Sequence, residues 1–185
     1  MTFKDIDSSR RKIIVEDDGE GMSLPTIRDI WLVPAHDHRE AQRKQLRRTT
    51  KGRLPLGEKG VGRFAVYKLG DRIDLITRTK NSDECVVSID WDEQIGKPYL
   101  SDTEVVVKTR VPEVFTGEKT GTRLTISRLR EEAGWSRGEV RRLLRQITAI
   151  SSPFSDRSDD FKTILKVPDH PEWITGLPDV RALLD

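Results

Sequence analysis

Three short segments of this chain have residue types and spacings that suit the binding of a small molecule. The first follows the apolar run Ile13-Ile14-Val15 and reads Asp17-Asp18-Gly19-Glu20-Gly21-Met22. A carboxylate on a rigid turn accepts a hydrogen bond from an exocyclic amine such as that of adenine, and glycines let the backbone pass beside a flat ring. Acidic turns with glycine are common, so this segment alone is also compatible with a purely structural turn.

The second segment is the glycine-rich loop Gly57-Glu58-Lys59-Gly60-Val61-Gly62, followed by a predicted short helix from Arg63 to Leu69 that Gly70 would end. Free backbone N–H groups and the positive end of a helix both attract phosphate, so the pattern is typical of an anion-binding loop. It is neither a Walker A motif, which ends in Lys-Ser/Thr, nor the dinucleotide fingerprint, whose glycines have the reverse spacing. A tight structural turn is the alternative interpretation.

The third segment is Gly121-Thr122 at the start of a predicted strand that continues to Ser127. A hydroxyl beside a flexible residue can reach the base side of a nucleotide pocket. The pair indicates little by itself, and it gains meaning only from its order after the other two segments.

Together, in this order and spacing, the three segments resemble the two glycine boxes and the late threonine of the GHKL ATPases, the superfamily of DNA gyrase B, the heat-shock chaperone, histidine kinases and MutL. The resemblance covers residues 5–152. The long stretch between the boxes looks more like the chaperone, MutL and MORC branches than like histidine kinases. It implies the Bergerat ATP-binding fold, an α/β protein built as an α+β two-layer sandwich, with a mixed, largely antiparallel sheet and helices packed on one face.

The resemblance also implies a role for each matching residue. Asp17 would bind the adenine amine, and Thr122 would support Asp17 through water. Gly19, Gly21 and Met22 would form the rest of the adenine side. The phosphates of ATP would be wrapped by Gly57, Lys59, Gly60, Val61, Gly62 and Arg63. ATP or ADP is therefore the expected ligand, and Mg²⁺ the metal expected of the family.

One departure from the family concerns hydrolysis. In GHKL ATPases a helix before the first glycine box carries a glutamate that activates water and an asparagine that binds magnesium. Here sixteen residues precede Asp17, and they predict a strand, the turn Asp7-Ser8-Ser9, and a second strand from Lys12 to Glu16. We therefore expect a chain that is truncated at its N-terminus, lacks the catalytic helix and hydrolyses ATP scarcely at all. No catalytic or metal-binding residue is assigned, and ATPase activity stays open.

The remaining elements follow from hydrophobic periodicity and turn residues. Ser23 predicts a helix cap, and residues 23–62 are interpreted as a lid over the nucleotide. Two strands, 73–78 and 85–91, predict a hairpin, and Ser136 with Glu139 predicts a capping box before an amphipathic helix. Further strands are predicted at 104–110, 122–126 and 161–167. We place the ATP-binding domain at residues 1–152 and the start of a following, truncated strand or linker segment at residues 153–185.

Composition and charge limit the function classes. Charged residues make up 35% of the chain, and no apolar run approaches the roughly 20 residues that span a bilayer, so we expect a cytoplasmic protein with no membrane contact. The lone cysteine, Cys85, predicts a buried strand residue, and His36-x-His38 has no further ligand at metal-binding spacing. The missing helix would expose apolar sheet surface, for which a homodimer partner is one possible cover.

Residues 39–53 form a basic stretch in which seven of fifteen side chains are Lys or Arg. A solvated loop is the simpler interpretation, and contact with nucleic acid or an acidic partner is the other. This leaves a non-hydrolysing regulatory or partner-binding module as the alternative to an ATPase domain. A plain α/β domain whose glycine loops are only turns is the third interpretation.

Overall fold

The computed structural model describes residues 1–32, 66, 68–92, 105–130, 135–150 and 163–176. Within these ranges the chain forms one six-stranded sheet in the order β1-β2-β6-β3-β4-β5, with every neighbouring pair antiparallel. The strands are β1 (Thr2–Lys4), β2 (Lys12–Asp17), β3 (Gly70–Arg78), β4 (Glu84–Asp90), β5 (Val107–Arg110) and β6 (Gly121–Leu129). The helices are α1 (Leu24–Thr26), which continues as a π-helical turn (Ile27–Trp31), α2 (Arg137–Ile150) and a 3-10 turn (Pro171–Trp173).

One face of the sheet is apolar and carries the helices. Side chains of paired strand residues project to the same face, and the register aligns Ile13, Ile126, Ile73 and Ile89 across four strands. All four are buried. Helix α2 packs on the Ile13 and Ile126 end of this row, and the α1 turn packs on the Ile73 and Ile89 end. Both helices therefore cover the same face, and the predicted two-layer α/β fold is confirmed.

The opposite face is polar and is stabilised by pairs of charged side chains. Arg123 pairs with Glu16 across β6 and β2, and Arg72 pairs with Asp74 along β3. Alternation of apolar and polar residues separates the two faces over much of the sheet, although Ile14, Ile76 and Val86 also project to the polar face.

Local sequence signals account for the helix starts and the hairpin. The Ser23 hydroxyl accepts a hydrogen bond from the Thr26 N–H at 3.3 Å, as expected of a helix cap. The predicted capping box is also present, since the Glu139 carboxylate accepts from the Ser136 N–H at 3.1 Å, and the Ser136 hydroxyl accepts from the Glu139 N–H at 3.4 Å. In the β3–β4 turn, Asn81 takes the left-handed conformation that this residue type tolerates.

The helix predicted from Arg63 to Leu69 lies mostly outside the described residues, but Val66 and Lys68 are in 3-10 conformation and the Leu69 N–H donates to the Val66 carbonyl at 2.9 Å. This helical turn ends before Gly70, which is the first residue of β3 and lies so near β6 that a Cβ on it would be 2.7 Å from the Ser127 carbonyl oxygen.

One predicted element differs from the structure. The predicted strand at residues 161–167 is reduced, in its described part, to a single parallel bridge between Lys166 and Thr2. The strand pairing extends no further because β1 is only three residues long and Pro168, which has no N–H, follows Val167.

Residues 163–176 belong to the same core as the sheet. Leu165 and Val167 are buried in the cluster that contains Phe3 and Val140. The Phe3 N–H donates to the Lys166 carbonyl at 2.9 Å, and the Lys166 N–H donates to the Met1 carbonyl at 2.9 Å. The predicted division at residue 152 stays a prediction, although the segment beyond it supplies part of this core.

The side chain of His170 connects residues 163–176 to the β1–β2 turn through a hydrogen bond. The Nε2 atom of His170 lies 2.6 Å from the Asp7 carboxylate, and its ring stacks on Trp173 with centroids 4.3 Å apart. The hydrogen bond to Asp7 raises the pKa of His170, and a second contact with Glu172 adds to the effect.

Several predictions concern residues outside the described ranges. They include most of the lid, the basic stretch 39–53, the metal-pair candidates His36 and His38, and the whole glycine-rich loop 57–62 with Arg63. Within the described ranges, no helix combines the length and the apolar character needed to cross a membrane.

The packing of residues 163–176 gives a stability prediction. Changing Leu165 to Ala removes a side chain that is 7% exposed, so unfolding should become easier by about 2–4 kcal/mol. The neighbouring Ile164 is 52% exposed, and its change to Ala should cost under about 1 kcal/mol. Urea denaturation of both variants checks this, and equal losses would mean that the segment is not part of the core.

Candidate functional site

Three oxygen-bearing side chains form a row at one end of the sheet. Asp17 ends β2, Thr122 lies near the start of β6, and Thr77 lies near the end of β3. The register pairs Asp17 with Thr122 and Thr122 with Thr77, so all three project to the helix-covered face. Thr77 is fully buried, Thr122 is half-buried and Asp17 is exposed. The row therefore leads from the protein interior to the surface.

The turn after β2 is held at three points. The Asp17 Oδ1 atom accepts from the Gly19 N–H at 2.9 Å, which is the hydrogen bond of an Asx turn. The Thr120 hydroxyl donates to the Gly19 carbonyl at 2.7 Å, and the Met22 N–H donates to the Thr77 hydroxyl at 2.8 Å. Among the residues that the structure describes, the Asp17 Oδ2 atom has no partner. It is available to accept a hydrogen bond from a ligand.

Two glycines allow the three strands to converge here. Gly21 has φ of 71°, and a Cβ on it would lie 2.0 Å from the Arg78 carbonyl oxygen. Gly121 has φ of 146°, and a Cβ on it would lie 2.1 Å from the Asp17 carbonyl oxygen. Both contacts are with backbone atoms, which cannot move aside cheaply. The turn can lie against β3 and β6 only because both positions lack a side chain.

The contacts of the Thr77 hydroxyl determine which of Thr77 and Thr122 donates in the hydrogen bond between them. It donates to the Gly121 carbonyl at 2.9 Å and accepts from the Met22 N–H, while the Thr122 hydroxyl oxygen lies 3.1 Å away. A hydroxyl has one proton, so all three contacts are hydrogen bonds only if Thr122 donates to Thr77. The lone pairs of the Thr122 oxygen are then available as acceptors beside Asp17.

The structure brings together five of the residues that the sequence singled out: Asp17, Gly19, Gly21, Met22 and Thr122. The other six, Gly57, Lys59, Gly60, Val61, Gly62 and Arg63, lie outside the described residues. Sequence reasoning missed Thr77 and Thr120, which hold the turn. The signal for Thr77 was its place two residues after Leu75 on the apolar face of β3, where a polar side chain needs a partner.

The chain matches the model of a known protein family. The family model described as histidine kinase-, DNA gyrase B- and HSP90-like ATPase matches residues 2–122. The match covers more than half of the chain and includes the acidic turn, the glycine-rich loop and Thr122.

The chain belongs to this GHKL family of ATPases.

It is therefore a GHKL-type ATP-binding domain, and its two-layer architecture with an antiparallel sheet agrees with that family. No curated protein matches the chain. The superfamily inferred from the three sequence segments is confirmed.

The described part of this GHKL domain presents three features beside the turn at residues 17–22. It offers a free carboxylate oxygen at Asp17, an oriented hydroxyl at Thr122 and a side-chain-free approach at Gly21. No group of three or more His, Cys, Asp or Glu side chains in the described ranges could hold a metal ion by itself. The magnesium of the family stays a prediction.

The close approach at Gly21 predicts a large effect of adding one methyl group. Gly21→Ala meets both an unfavourable positive φ and the Arg78 carbonyl, so we expect a loss of more than about 3 kcal/mol in unfolding free energy or a displaced turn. Gly176 has φ of 69° with nothing within 4 Å of the added Cβ. Its change to Ala carries only the backbone cost, about 1–2 kcal/mol. Chemical denaturation of the pair separates the two costs, and similar losses would contradict the close approach.

The buried hydroxyl of Thr77 gives a second prediction. Thr77→Val keeps the shape but leaves the Met22 N–H without its acceptor, so unfolding should become easier by about 1–3 kcal/mol. Amide exchange at Met22 should accelerate in the same variant. Thr77→Ser keeps the hydroxyl and should restore slow exchange at Met22. Equal exchange rates in the Val and Ser variants would show that this hydroxyl does not hold the turn.

Proposed function

We propose that this GHKL domain binds ATP with the adenine ring against the turn formed by residues 17–22. The observation that carries the proposal is the Asp17 Oδ2 oxygen, which has no partner among the described residues and lies at the exposed end of the row that continues through Thr122 to Thr77. In this arrangement the exocyclic amine of adenine donates to Oδ2, and the Thr122 oxygen accepts from a water that also contacts the base or Asp17.

The same geometry favours adenine over guanine. Guanine has a carbonyl where adenine has its amine, and a carboxylate opposite a carbonyl leaves two acceptors facing each other. Such a mismatch is costly because both acceptors lose water when the base binds and neither gains a donor. The turn is also held rigidly by Thr120 and Thr77, so Asp17 cannot easily move away from the wrong base.

The phosphates belong, in this proposal, to the glycine-rich loop 57–62 with Arg63. The support is the sequence pattern, in which backbone N–H groups, Lys59 and Arg63 supply donors and positive charge. The long stretch between the two glycine boxes supports placement in the chaperone, MutL and MORC branch. Cytoplasmic location is part of the same proposal, and nucleotide binding is the activity that it addresses.

The adenine contact is tested with Asp17→Asn. The asparagine oxygen still accepts from the Gly19 N–H, so the turn is retained, but an NH₂ group replaces Oδ2 and faces the adenine amine donor to donor. We expect ATP affinity to fall by about 100-fold, as for loss of a charge-assisted hydrogen bond with a repulsive replacement. Asp18→Asn, one residue later and exposed, is the matched control and should bind as the wild type does. Isothermal titration with ATP, adenosine and GTP measures all three proteins.

The results with these ligands distinguish the ways in which the proposal could be wrong. Wild-type protein that binds neither ATP nor adenosine would contradict nucleotide binding itself. Wild-type binding that survives Asp17→Asn unchanged would leave an ATP site but remove Asp17 from it. The proposal is supported when the Asn variant loses affinity for ATP and adenosine by the same factor, because the contact is to the base that both ligands share.

A further inference from the structure

The connection between β5 and β6 crosses one end of the sheet. Strands β3 and β4 lie between β6 and β5 in the sheet, so the chain leaving Arg110 must pass over the β3–β4 hairpin to reach Gly121. We call residues 111–120 the crossing loop. It has no strand or helix of its own, and its backbone polar groups need partners from elsewhere.

A buried carboxylate of the hairpin binds the first half of the crossing loop. Glu84 is 0% exposed, and its Oε1 atom accepts from the Val114 N–H at 2.7 Å and the Phe115 N–H at 2.6 Å. Its Oε2 atom accepts from Arg110 Nε at 3.1 Å. Burial opposes ionisation of this group, but these backbone and arginine donors outweigh it and lower the pKa of Glu84. The carboxylate is thus held as an anion inside the loop.

An arginine of the same hairpin binds the second half. The Arg78 Nη1 atom donates to the carbonyl of Phe115 at 2.6 Å and also to those of Gly117 and Lys119. Its Nε atom donates to the Ser82 carbonyl at 2.7 Å, which fixes the guanidinium on the hairpin turn. One charged side chain therefore binds three carbonyl groups of the crossing loop.

The far end of the crossing loop meets the turn at residues 17–22, which we call the adenine turn after the proposed base contact. Thr120, its last residue, donates through its hydroxyl to the Gly19 carbonyl. Phe115 is buried against Gly121, where an added Cβ would lie 2.9 Å from its ring. The Arg78 backbone carbonyl lies directly beneath Gly21. The hairpin thus reaches the turn in three ways: through the Arg78 backbone, through the Thr77 hydroxyl, and through the loop that its charged side chains hold.

We propose that Arg78 and Glu84 are positioning residues of the nucleotide site, which act by holding the crossing loop so that Thr120 fixes Gly19. The inference rests on the proposed function and extends it to two side chains that need not touch the ligand. It makes the β3–β4 hairpin the support of the adenine turn. Loosening the loop should loosen the turn, and a looser turn must be ordered again when the base binds.

The test uses Arg78→Met and a matched control on the same strand. Arg72→Met removes an arginine that pairs with Asp74 near the opposite end of β3. Amide exchange is measured first, without nucleotide. Arg78→Met should accelerate exchange at Gly19 and Met22 by about tenfold while leaving the central β6 residue Ile126 unchanged, whereas Arg72→Met should leave all three unchanged.

ATP and adenosine affinities are then measured for the same proteins and for Thr120→Val. Arg78→Met and Thr120→Val should each weaken both ligands by about tenfold, and the double variant should be little weaker than either single one, because both changes break the same support. A variant that was only less stable would bind normally well below its unfolding temperature. If Arg78→Met does not fold, Arg78→Lys and Glu84→Gln take its place in the same cycle.

The possible results lead to different conclusions. Normal amide exchange at Gly19 and Met22 in Arg78→Met overturns the inference whether or not nucleotide binds. Additive losses in the double variant overturn it too, since they would mean independent effects. Absence of nucleotide binding by the wild type contradicts the proposed function alone, because the exchange measurement still decides whether Arg78 holds the turn.

Discussion

The hydroxyl of Thr77 joins three pieces of chain that are far apart in sequence. It accepts from Met22 after β2, donates to Gly121 at the start of β6, and lies on β3 itself with no exposed surface. A hydroxyl buried without partners costs several kcal/mol, whereas one with every bond made costs little and permits one arrangement of its neighbours. A register shift of one residue between β3 and β6 would turn Thr77 to the polar face and break all of these bonds. The position of the adenine turn depends on this register.

The sheet is closed over most of its apolar face and open at the end that carries Asp17. Helix α2 and the α1 turn cover the central row of isoleucines. Val15, which follows Ile13 on the same face of β2 in the direction of Asp17, is 44% exposed. The Asp17 carboxylate, the proposed acceptor for the base, is accessible at this end. One strand therefore contributes both to the core and to the accessible surface. Ile13 is fully buried, and Asp17, four residues later, is exposed.

Local patterns in the sequence predicted much of the fold. The alternation in β3 and β4, the Ser23 cap and the Ser136 capping box each depend on residues close in sequence, and each is confirmed. Prediction was wrong where a partner distant in sequence decides the outcome. The described part of the strand predicted at residues 161–167 forms a single bridge, because its partner β1, at the other end of the chain, is only three residues long.

The residues of the candidate site also differ in how far the sequence predicts them. The sequence singled out Asp17, Gly21 and Thr122 because their order matches a motif, although the motif does not explain why two glycines are needed where backbones approach within about 2 Å of an added Cβ. It did not single out Thr120 and Arg78, because their contacts are set by the path of the crossing loop, which follows from the strand order and not from any local pattern. The residues that would touch the nucleotide are thus easier to read from sequence than those that hold them. Affinity depends on both, because a carboxylate aligned before binding loses less entropy when the base arrives than one on a free turn.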